Sequence, residues 1–395
     1  MIYLDVTSSC RSAQNTGMQR MTRKIFTELS CRAEVTPLCW NEIGRFYQRL
    51  GKTEFELLTR PFERHTVSAR PESRGQNPVA ELSRLILLRH FPWKKLNDRD
   101  VFVAPDILHD FRRRSLPNLI KETTARSVAI FHDVTSLRLP SVYNVSKRMP
   151  RYRGYVELLA KFDLVICISR EAQDDLHEFW RGFGCKPTMT CIETWPIEFD
   201  TTPFRVIDQD PKDVIVYVSS LDPRKNHLTL LSAAERLWDA GISFELQLIG
   251  RATNLSRAIV KRLQAAREEG KPVRWLQHVD DETLLRAYRD CRFTVYPSLM
   301  EGFGLPIAES LWHGKPCVCG GNGALGEVAR GGGCLIVDQT DHTALADGIK
   351  TLLQDRQLYA RLCDEARARK FRSWSDYIEK FLQHLQPQTA ALASN

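Results

Sequence analysis

The sequence predicts an α/β protein built from two doubly wound domains, each a parallel β-sheet wrapped by helices. Length is the first observation, because 395 residues exceed what one hydrophobic core usually holds and suit two. Composition is the second, since 43% hydrophobic and 26% charged residues are typical of a globular chain. The third is a repeated alternation of short apolar strands with amphipathic helices, which is the pattern of parallel sheets.

The alternation is most regular in the second half of the chain. Val214–Val218 is a β-branched run, and the apolar residues that follow between Leu228 and Leu237 recur at helical spacing. The series continues as strand Phe244–Ile249, helix Ser256–Glu269, strand Val273–Leu276, helix Asp281–Asp290, strand Phe293–Tyr296, helix Pro306–His313 and strand Cys317–Cys319.

The first half repeats the pattern less regularly, and residues 40–100 show no clean period. Its predicted elements are the strands Ile2–Val6, Val101–Ala104, Ser127–Phe131 and Leu164–Ile168 and a helix near Gln19–Leu29. A run of low periodicity from Ile197 to Pro211 predicts the hinge between the domains. We therefore expect an N-terminal domain over residues 1–200 and a C-terminal domain over residues 201–372.

Nothing in the sequence predicts an export signal or a membrane span. Met1–Val6 lacks the charged and then apolar layout of a signal peptide, and no run of about 18 uncharged apolar residues occurs. The eleven cysteines are scattered, and Cys317 and Cys319 lack the companion pair of a zinc site. We therefore expect reduced, structural thiols and a cytoplasmic protein.

The net charge of +8 lies mainly in the first half of the chain, where basic residues form two clusters. These are Arg112, Arg113 and Arg114, and then Lys147, Arg148, Arg151 and Arg153. Such clusters suit anionic lipid headgroups at the inner face of a membrane, a phosphorylated acceptor or nucleic acid, and equally a solvated surface. Because no aromatic residues interleave them, nucleic acid is not an expected partner. The stretch Leu82–Lys95 mixes apolar and basic residues, and it predicts either a membrane-surface segment or a buried helix.

The first loop with candidate chemistry is Ser219–His227, directly after the strand Val214–Val218. Parallel α/β sheets bind ligands at the carboxyl ends of their strands, where helix N-termini present N–H groups to anions. Arg224 and Lys225 in such a turn suit a diphosphate, the arginine through its planar fork and the lysine as a point charge. A solvated basic turn is the alternative interpretation.

The second loop, between Glu301 and Glu309, contains two glycines. Gly302 and Gly304 permit a close approach of backbone to a ligand, and Pro306 suits the first turn of a helix. A helix that starts there places Glu309 in its first turn. Carboxylates accept hydrogen bonds from the hydroxyls of a nucleotide sugar, although two acids are also the pattern of a hydrolase acid/base pair. The cationic turn on the same sheet edge favours the nucleotide sugar.

These two loops resemble motifs of one known family. Glu301 and Glu309, with seven residues between them, are similar to the Glu-x7-Glu signature of retaining GT-B glycosyltransferases of family 4, and Val216–His227 resembles their strand and Arg-Lys turn. Further likenesses are Ile130–Asp133, Leu164–Ser169, Asn15–Arg20 and the closing amphipathic helix with Trp374, Tyr377, Ile378, Phe381 and Leu382. The resemblance implies the GT-B fold, two Rossmann-like domains facing across a cleft, with residues 373–395 completing the first domain.

The resemblance also implies a role for each matched residue. Arg224 and Lys225 are expected to hold the donor diphosphate, Glu301 to bind hydroxyls of the transferred sugar, and Glu309 to bind the ribose. His132 is expected to join this catalytic set from across the cleft, near the sugar. The other expected donor-binding residues are Gly302, Phe303, Gly304, Leu305, Gly17, Ser220 and Gly250.

From this likeness we expect a retaining hexosyltransferase that transfers a sugar from a nucleoside diphosphate to a glycan acceptor, with a lipid-linked glycan as the leading expectation. No cofactor or metal is expected, because no Asp-x-Asp motif lies near the site and two cations can replace a divalent ion. Asn15-Thr16-Gly17 departs from the Gly-Gly pair of many relatives and matches a subgroup of bacterial polysaccharide enzymes, which favours the assembly of surface glycans such as O-antigen. GDP-mannose is the leading donor by family frequency.

Two alternatives stay open. The first is a nucleotide-sugar epimerase of the same fold, which needs acid and base groups for chemistry at C2 of the sugar. The second is a non-catalytic protein that uses its basic first domain to bind a membrane or nucleic acid.

Overall fold

The fold is known from a computed structural model that describes residues 1–12, 16–59, 90–108, 110–143, 149–197 and 213–386. These residues form two β-sheets with helices packed on their faces. The structure therefore has the α/β class that the alternating sequence predicts.

The first sheet has seven strands among the described residues. They are β1 (Ile2–Asp5), β2 (Val35–Asn41), β3 (Phe46–Arg49), β4 (Val101–Ala104), β5 (Arg126–Phe131), β6 (Leu164–Cys167) and β7 (Met189–Ile192). Their spatial order is β3-β2-β1-β4-β5-β6-β7, and neighbours are parallel except for the antiparallel pair β2 and β3. The accompanying helices are α1 (Thr7–Cys10), α2 (Gly17–Ser30), α3 (Lys52–Thr59), α4 (Arg112–Lys121), α5 (Thr135–Arg138), α6 (Met149–Leu159) and α7 (Arg170–Gly182).

The second sheet has six strands, all parallel, in the order β10-β9-β8-β11-β12-β13. They are β8 (Val214–Val218), β9 (Glu245–Ile249), β10 (Val273–Leu276), β11 (Phe293–Tyr296), β12 (Cys317–Gly320) and β13 (Cys334–Val337). The helices are α8 (His227–Asp239), α9 (Arg257–Glu268), α10 (Asp281–Asp290), α11 (Leu305–Trp312), α12 (Gly323–Ala329), α13 (His342–Gln354), α14 (Arg356–Ala368) and α15 (Trp374–Leu385). The strand order reverses between β8 and β11, and the loops that leave these two strands border a crevice at the carboxyl edge.

The elements predicted in the second half match the observed ones to within two residues at each end. The strands that the period analysis does not predict include β7 and β13. Both lie at the edge of a sheet, and their side chains are half-buried or exposed. An edge strand therefore lacks the continuous apolar run by which a central parallel strand is recognised.

Each sheet has its own hydrophobic core. The core of the first sheet includes Trp374, Tyr377 and Phe381, so helix α15 packs on the first sheet although it follows the second in the chain. Trp195 belongs to the first core and Ile197 to the second. The predicted hinge, apart from Ile197, lies outside the described residues.

Arg112 corrects the predicted basic surface. Its side chain is 1% exposed, with Nη1 2.7 Å from Oδ2 of Asp5 and Nη2 2.8 Å from Oδ2 of Asp110. The Tyr47 hydroxyl donates to the same Asp5 oxygen at 2.7 Å. Because β1 and β4 are neighbours, the helix after β4 brings its first residue, Arg112, over the end of β1, where its charge compensates a buried carboxylate.

In the stretch predicted to be either membrane-bound or buried, two of the described residues lie in the core, whereas Lys94 and Lys95 are exposed. Phe91 and Trp93 are buried, and the Trp93 indole donates to the Leu119 carbonyl at 2.6 Å. The part over residues 82–89 lies outside the described residues. In the portions of the chain that the structure describes, no helix combines the length and apolar character needed to cross a membrane. All eleven cysteines are free thiols.

Replacing Arg112 with alanine is expected to lower the free energy of unfolding by about 3–5 kcal/mol, because it leaves Asp5 as a buried, uncompensated carboxylate. Chemical denaturation of the wild type and the variant measures the change. Arg114→Ala, an exposed position on the same helix, is the matched control and should stay within about 0.5 kcal/mol of the wild type. Equal effects of the two variants would contradict the assignment of Arg112 to the buried pair.

Candidate functional site

The candidate site lies where the strand order of the second sheet reverses. The loops after β8 and β11 leave neighbouring strands at the same sheet edge, and Leu299 donates its backbone N–H to the Arg224 carbonyl at 2.9 Å. The predicted cationic turn and the predicted glycine loop are therefore in direct contact. This position is the general location of ligand sites in doubly wound sheets.

The turn after β8 is fixed by its own residues. Pro223–Lys225 forms one turn of 3₁₀ helix, and the Asp222 carboxylate accepts from the Arg224 backbone N–H at 3.0 Å. Asn226 ends the turn in the left-handed conformation, with φ of 60°. The Tyr217 hydroxyl donates to the Lys225 carbonyl at 2.5 Å. The backbone that carries both cations is thus held from both sides.

Glu301 joins the two cations. Its Oε1 lies 2.5 Å from Nζ of Lys225, and its Oε2 lies 2.5 Å from Nη1 of Arg224. The Tyr296 hydroxyl, at 2.9 Å, and the Ser298 hydroxyl also donate to Oε1. One carboxylate therefore accepts from four side chains, two from the cationic turn after β8 and two from the end of β11 and the loop that follows it.

The charges of this cluster depend on each other. Burial disfavours the ionised form of Glu301, but Lys225 and Arg224 outweigh it and lower the pKa of Glu301 to about 2. Burial lowers the pKa of Lys225, and the Glu301 charge opposes that shift. With both cations protonated and Glu301 ionised, the cluster carries one net positive charge, which suits an anionic ligand.

Glu309 lies on helix α11, which begins at Leu305 rather than Pro306. Glu309 is therefore its fifth residue and starts the second turn, not the first turn that the sequence predicts. The helix is preceded by Gly304 at φ of 105°, a conformation that glycine adopts without strain. The buried Tyr288 hydroxyl donates to Oε2 of Glu309 at 2.9 Å, and Nη1 of Arg20 lies 3.4 Å from Oε1.

Two predicted residues of the first domain lie against the glycine loop. A Cβ added to Gly302 would lie 2.4 Å from the His132 carbonyl oxygen, so only glycine fits there. Gly17 is the first residue of α2, and a Cβ on it would lie 3.4 Å from the Leu305 side chain. The structure thus brings His132 and Gly17 to the same loop as Glu301. Asn15, from the same predicted motif, lies outside the described residues.

The other predicted donor-site residues are Gly250, Ser220 and Phe303. Gly250 directly follows β9 and has a φ of 149°. A Cβ on Gly250 would lie 2.0 Å from the Ser219 carbonyl oxygen, so glycine leaves space here for the turn after β8. The Ser220 side chain is exposed, and Phe303 packs against both cores.

Sequence reasoning missed four side chains that connect the domains at this site. The Tyr143 hydroxyl accepts from Nε of Arg224 at 3.2 Å and donates to Asp222 at 2.9 Å. The Ser169 hydroxyl donates to the Gly302 carbonyl at 2.7 Å. Arg20 lies 3.4 Å from Glu309, as described above. The fourth side chain is that of Glu327, which accepts from the backbone N–H groups of Arg170 and Glu171 at 3.0 and 2.7 Å. Ser169 and Arg20 end motifs that resemble the family, but nothing in the sequence indicated Tyr143 or Glu327.

Within the described ranges, no group of three or more His, Cys, Asp or Glu side chains is arranged to hold a metal ion.

Comparison with known proteins finds a family that part of the chain resembles. Residues 199–369 match the family model described as glycosyl transferases group 1. This segment, which makes up less than half of the chain, is similar to that family. The match covers the second sheet with the Arg224 turn and both glutamates, which are the residues that carried the resemblance in the sequence.

Relatives of the chain include two Escherichia coli proteins. The chain is 23% identical to the serotype-specific mannosyltransferase WbdA over 330 residues, which cover 76% of the chain and 38% of WbdA. It is 26% identical to O-antigen chain mannosyltransferase B over 348 residues, which cover 86% of the chain and 87% of that protein. The chain thus spans well under half of the length of WbdA.

Solved structures identify the fold of this chain as GT-B. Sucrose-phosphate synthase from Thermosynechococcus elongatus matches with a TM-score of 0.68 at 17% identity, over 97% of each chain. Anabaena HepE, in complex with UDP and glucose, matches with a TM-score of 0.66 at 19% identity, over 97% of this chain and 98% of that one. The predicted GT-B fold is therefore confirmed.

His227, next to the cationic turn, makes the stability of the protein depend on pH. Burial and then the Lys225 charge lower the pKa of His227 to about 3, against about 6.5 in an unfolded chain. Between these values the unfolded state binds the extra proton, so stability rises with pH. We expect His227→Gln to reduce the loss of unfolding free energy between pH 7 and pH 5 by about 2 kcal/mol.

Urea denaturation at the two pH values measures this difference. His278→Gln, at an exposed position, is the control and should retain the wild-type slope. A slope in His227→Gln equal to that of the wild type would contradict the prediction.

Proposed function

We propose that the chain is a retaining glycosyltransferase that moves a hexose from a nucleoside-diphosphate sugar to a glycan acceptor. The observation that carries the proposal is the contact of Arg224 and Lys225 with Glu301 at the reversal of the second sheet. The cluster combines cations for a diphosphate with carboxylates for hydroxyls, and Glu309 lies on the adjacent helix. The match to the family model and the mannosyltransferase relatives support the same reaction class.

The cations are proposed to act on the leaving group. As the glycosidic bond breaks, negative charge grows on the departing diphosphate, and Arg224 and Lys225 would stabilise it together with the N-terminus of α11. Their sites are preorganised, because Tyr143, Met300 and Glu301 already hold the Arg224 guanidinium. Since these groups supply the positive charge that a divalent ion provides elsewhere, we propose a metal-independent reaction without a cofactor.

Retention is proposed to follow from attack on the same face that the diphosphate leaves. Glu301 is a poor candidate for a covalent nucleophile, because two cations and two hydroxyls already occupy its oxygens. With its pKa at about 2 it is also a weak base. The leaving phosphate would then take the proton of the acceptor hydroxyl.

Mannose from GDP-mannose is the proposed donor sugar. Both Escherichia coli relatives are named as mannosyltransferases, and one acts on the O-antigen chain. By the same reasoning the proposed acceptor is a glycan, lipid-linked, in the synthesis of a surface polysaccharide at the inner face of the membrane.

Two variants test the assigned site. Lys225→Ala is expected to lower turnover by about 10²–10³, because it removes one preorganised charge from the leaving diphosphate. Glu309→Gln is expected to raise the KM for the donor, because it weakens a hydrogen-bond acceptor for the ribose. Mass spectrometry with a panel of nucleotide sugars and mannan acceptors measures both. Lys261→Ala, exposed on α9, is the control, and full activity in Lys225→Ala and Glu309→Gln would show that the site is elsewhere.

The same assay separates the two alternatives. Donor incubated without acceptor should return unchanged, whereas an epimerised nucleotide sugar would support the epimerase. Lack of turnover in the wild type, together with retained membrane or nucleic-acid binding, would support a non-catalytic protein.

A surface of the first domain is proposed to contact the membrane. Phe111 is 55% exposed and Met149 38%. The Arg114 guanidinium lies 5.6 Å from the centre of the Phe111 ring. Burial and then the charges of Arg114 and Arg151 lower the pKa of Arg113, and the Asp110 charge opposes this shift. Exposed apolar side chains among cations suit an anionic lipid surface.

Exchange of Arg114 and Arg151 for alanine is expected to weaken binding to phosphatidylglycerol vesicles about thirtyfold, at about 1 kcal/mol for each charge. Sedimentation with vesicles measures the affinity, and phosphatidylcholine vesicles show the contribution of charge. Arg257→Ala with Lys261→Ala removes two exposed cations from the second domain and should leave binding unchanged. Equal binding by both double variants would contradict this surface.

A further inference from the structure

Two rings of the first domain carry buried polar atoms without a hydrogen-bond partner. His132 is 4% exposed and Trp195 is 6% exposed. In the part of the chain that the structure describes, Nδ1 of His132 and Nε1 of Trp195 have no partner. Other buried polar atoms of the described residues also lack a partner, but these two belong to rings that contact each other, so one ligand group can serve both.

The hydrogen-bonding character of each atom follows from its surroundings. Nε2 of His132 lies 2.5 Å from the Pro105 carbonyl oxygen, which only accepts, so Nε2 carries the hydrogen. Burial lowers the pKa of His132 although the Pro105 hydrogen bond opposes it, so the ring is neutral near pH 7. Nδ1 of His132 is then an acceptor, whereas Nε1 of the Trp195 indole is always a donor.

The two rings lie beside each other and beside the candidate donor site. Their centroids are 5.1 Å apart with an angle of 63° between the planes. The Trp195 ring lies 6.2 Å from that of Phe303, and Gly302 lies directly on the His132 backbone. The unpaired acceptor and the unpaired donor therefore belong to rings that lie beside the loop proposed to line the sugar.

We propose that Trp195 is a specificity-determining residue that binds one sugar hydroxyl together with His132. A hydroxyl both donates and accepts, so one such group satisfies the pair by donating to Nδ1 and accepting from the indole N–H. The inference rests on the proposed glycosyltransferase function. Because the Trp195 ring contacts Phe303, we assign the hydroxyl to the transferred sugar. A hydroxyl of the acceptor would make the same two hydrogen bonds and is the other candidate.

A pair of tryptophan variants separates ligand binding from folding. Trp195→Phe retains an aromatic ring and removes an N–H that has no partner in the free protein, so the thermal midpoint should change little. Trp180→Phe is the matched control from the same core, where the indole N–H donates to the Val156 carbonyl at 2.8 Å. This control should lower the thermal midpoint and leave the affinity for the sugar unchanged.

Isothermal titration calorimetry with GDP, GDP-mannose, UDP and UDP-glucose gives the decisive comparison. We expect Trp195→Phe to weaken binding of the nucleotide sugar that the wild type prefers about tenfold and to leave binding of the free nucleotide unchanged. If the nucleotide sugar binds normally but the KM for a short α-mannan oligosaccharide rises about tenfold, the hydroxyl belongs to the acceptor.

Other results overturn the inference in distinguishable ways. If neither the affinity nor the KM of Trp195→Phe changes, or if the affinity for the free nucleotide falls equally, Trp195 does not bind a sugar hydroxyl. Either result would leave the proposed function unaffected. A wild-type protein that binds neither nucleotides nor nucleotide sugars would reject the proposed function and this inference together.

Discussion

The buried charge of Glu301 is the constraint on which the rest of the described site depends. A carboxylate removed from water is costly unless cations and hydrogen-bond donors replace its hydration. Here Lys225 and Arg224 do so from the neighbouring loop, and the hydroxyls of Tyr296 and Ser298 complete the set. Because the compensation comes from a different strand, the charge ties the two loops together. The position of one loop therefore determines that of the other.

Close contact between these loops requires residues without side chains at two places. Gly250 leaves space for the Ser219 carbonyl, so β9 can end beside the turn after β8. Gly302 leaves space for the His132 carbonyl, so the glycine loop can reach the first domain. In both cases the neighbour is backbone, which cannot rotate away as a side chain can. At both positions glycine allows two segments of the protein to approach each other, independently of any ligand.

The sequence predicted the class of fold, most of the second sheet and the residues of the Glu301 cluster, because these rest on local periodicity and on motifs within single loops. It did not predict that Arg112 is buried, since its partner Asp5 lies 107 residues away and no local pattern connects them. Arg20 and Tyr143 were missed as partners of Glu309 and Arg224 for the same reason. A run of basic residues usually indicates surface charge. The pairing of β1 with β4 determines which arginine of this run is buried.

Beside the apolar packing of Phe303 against both cores, polar contacts join the two domains near the site. Ser169 donates to the Gly302 carbonyl, and Glu327 accepts from the first two N–H groups of α7. When such groups separate, water replaces each lost partner, so the net free-energy change per hydrogen bond is small. An apolar seam of the same size would resist separation more strongly, because it would expose hydrocarbon to solvent. The polar part of this interface between the domains can therefore open at a small cost in free energy, because water replaces the hydrogen-bond partners on both sides.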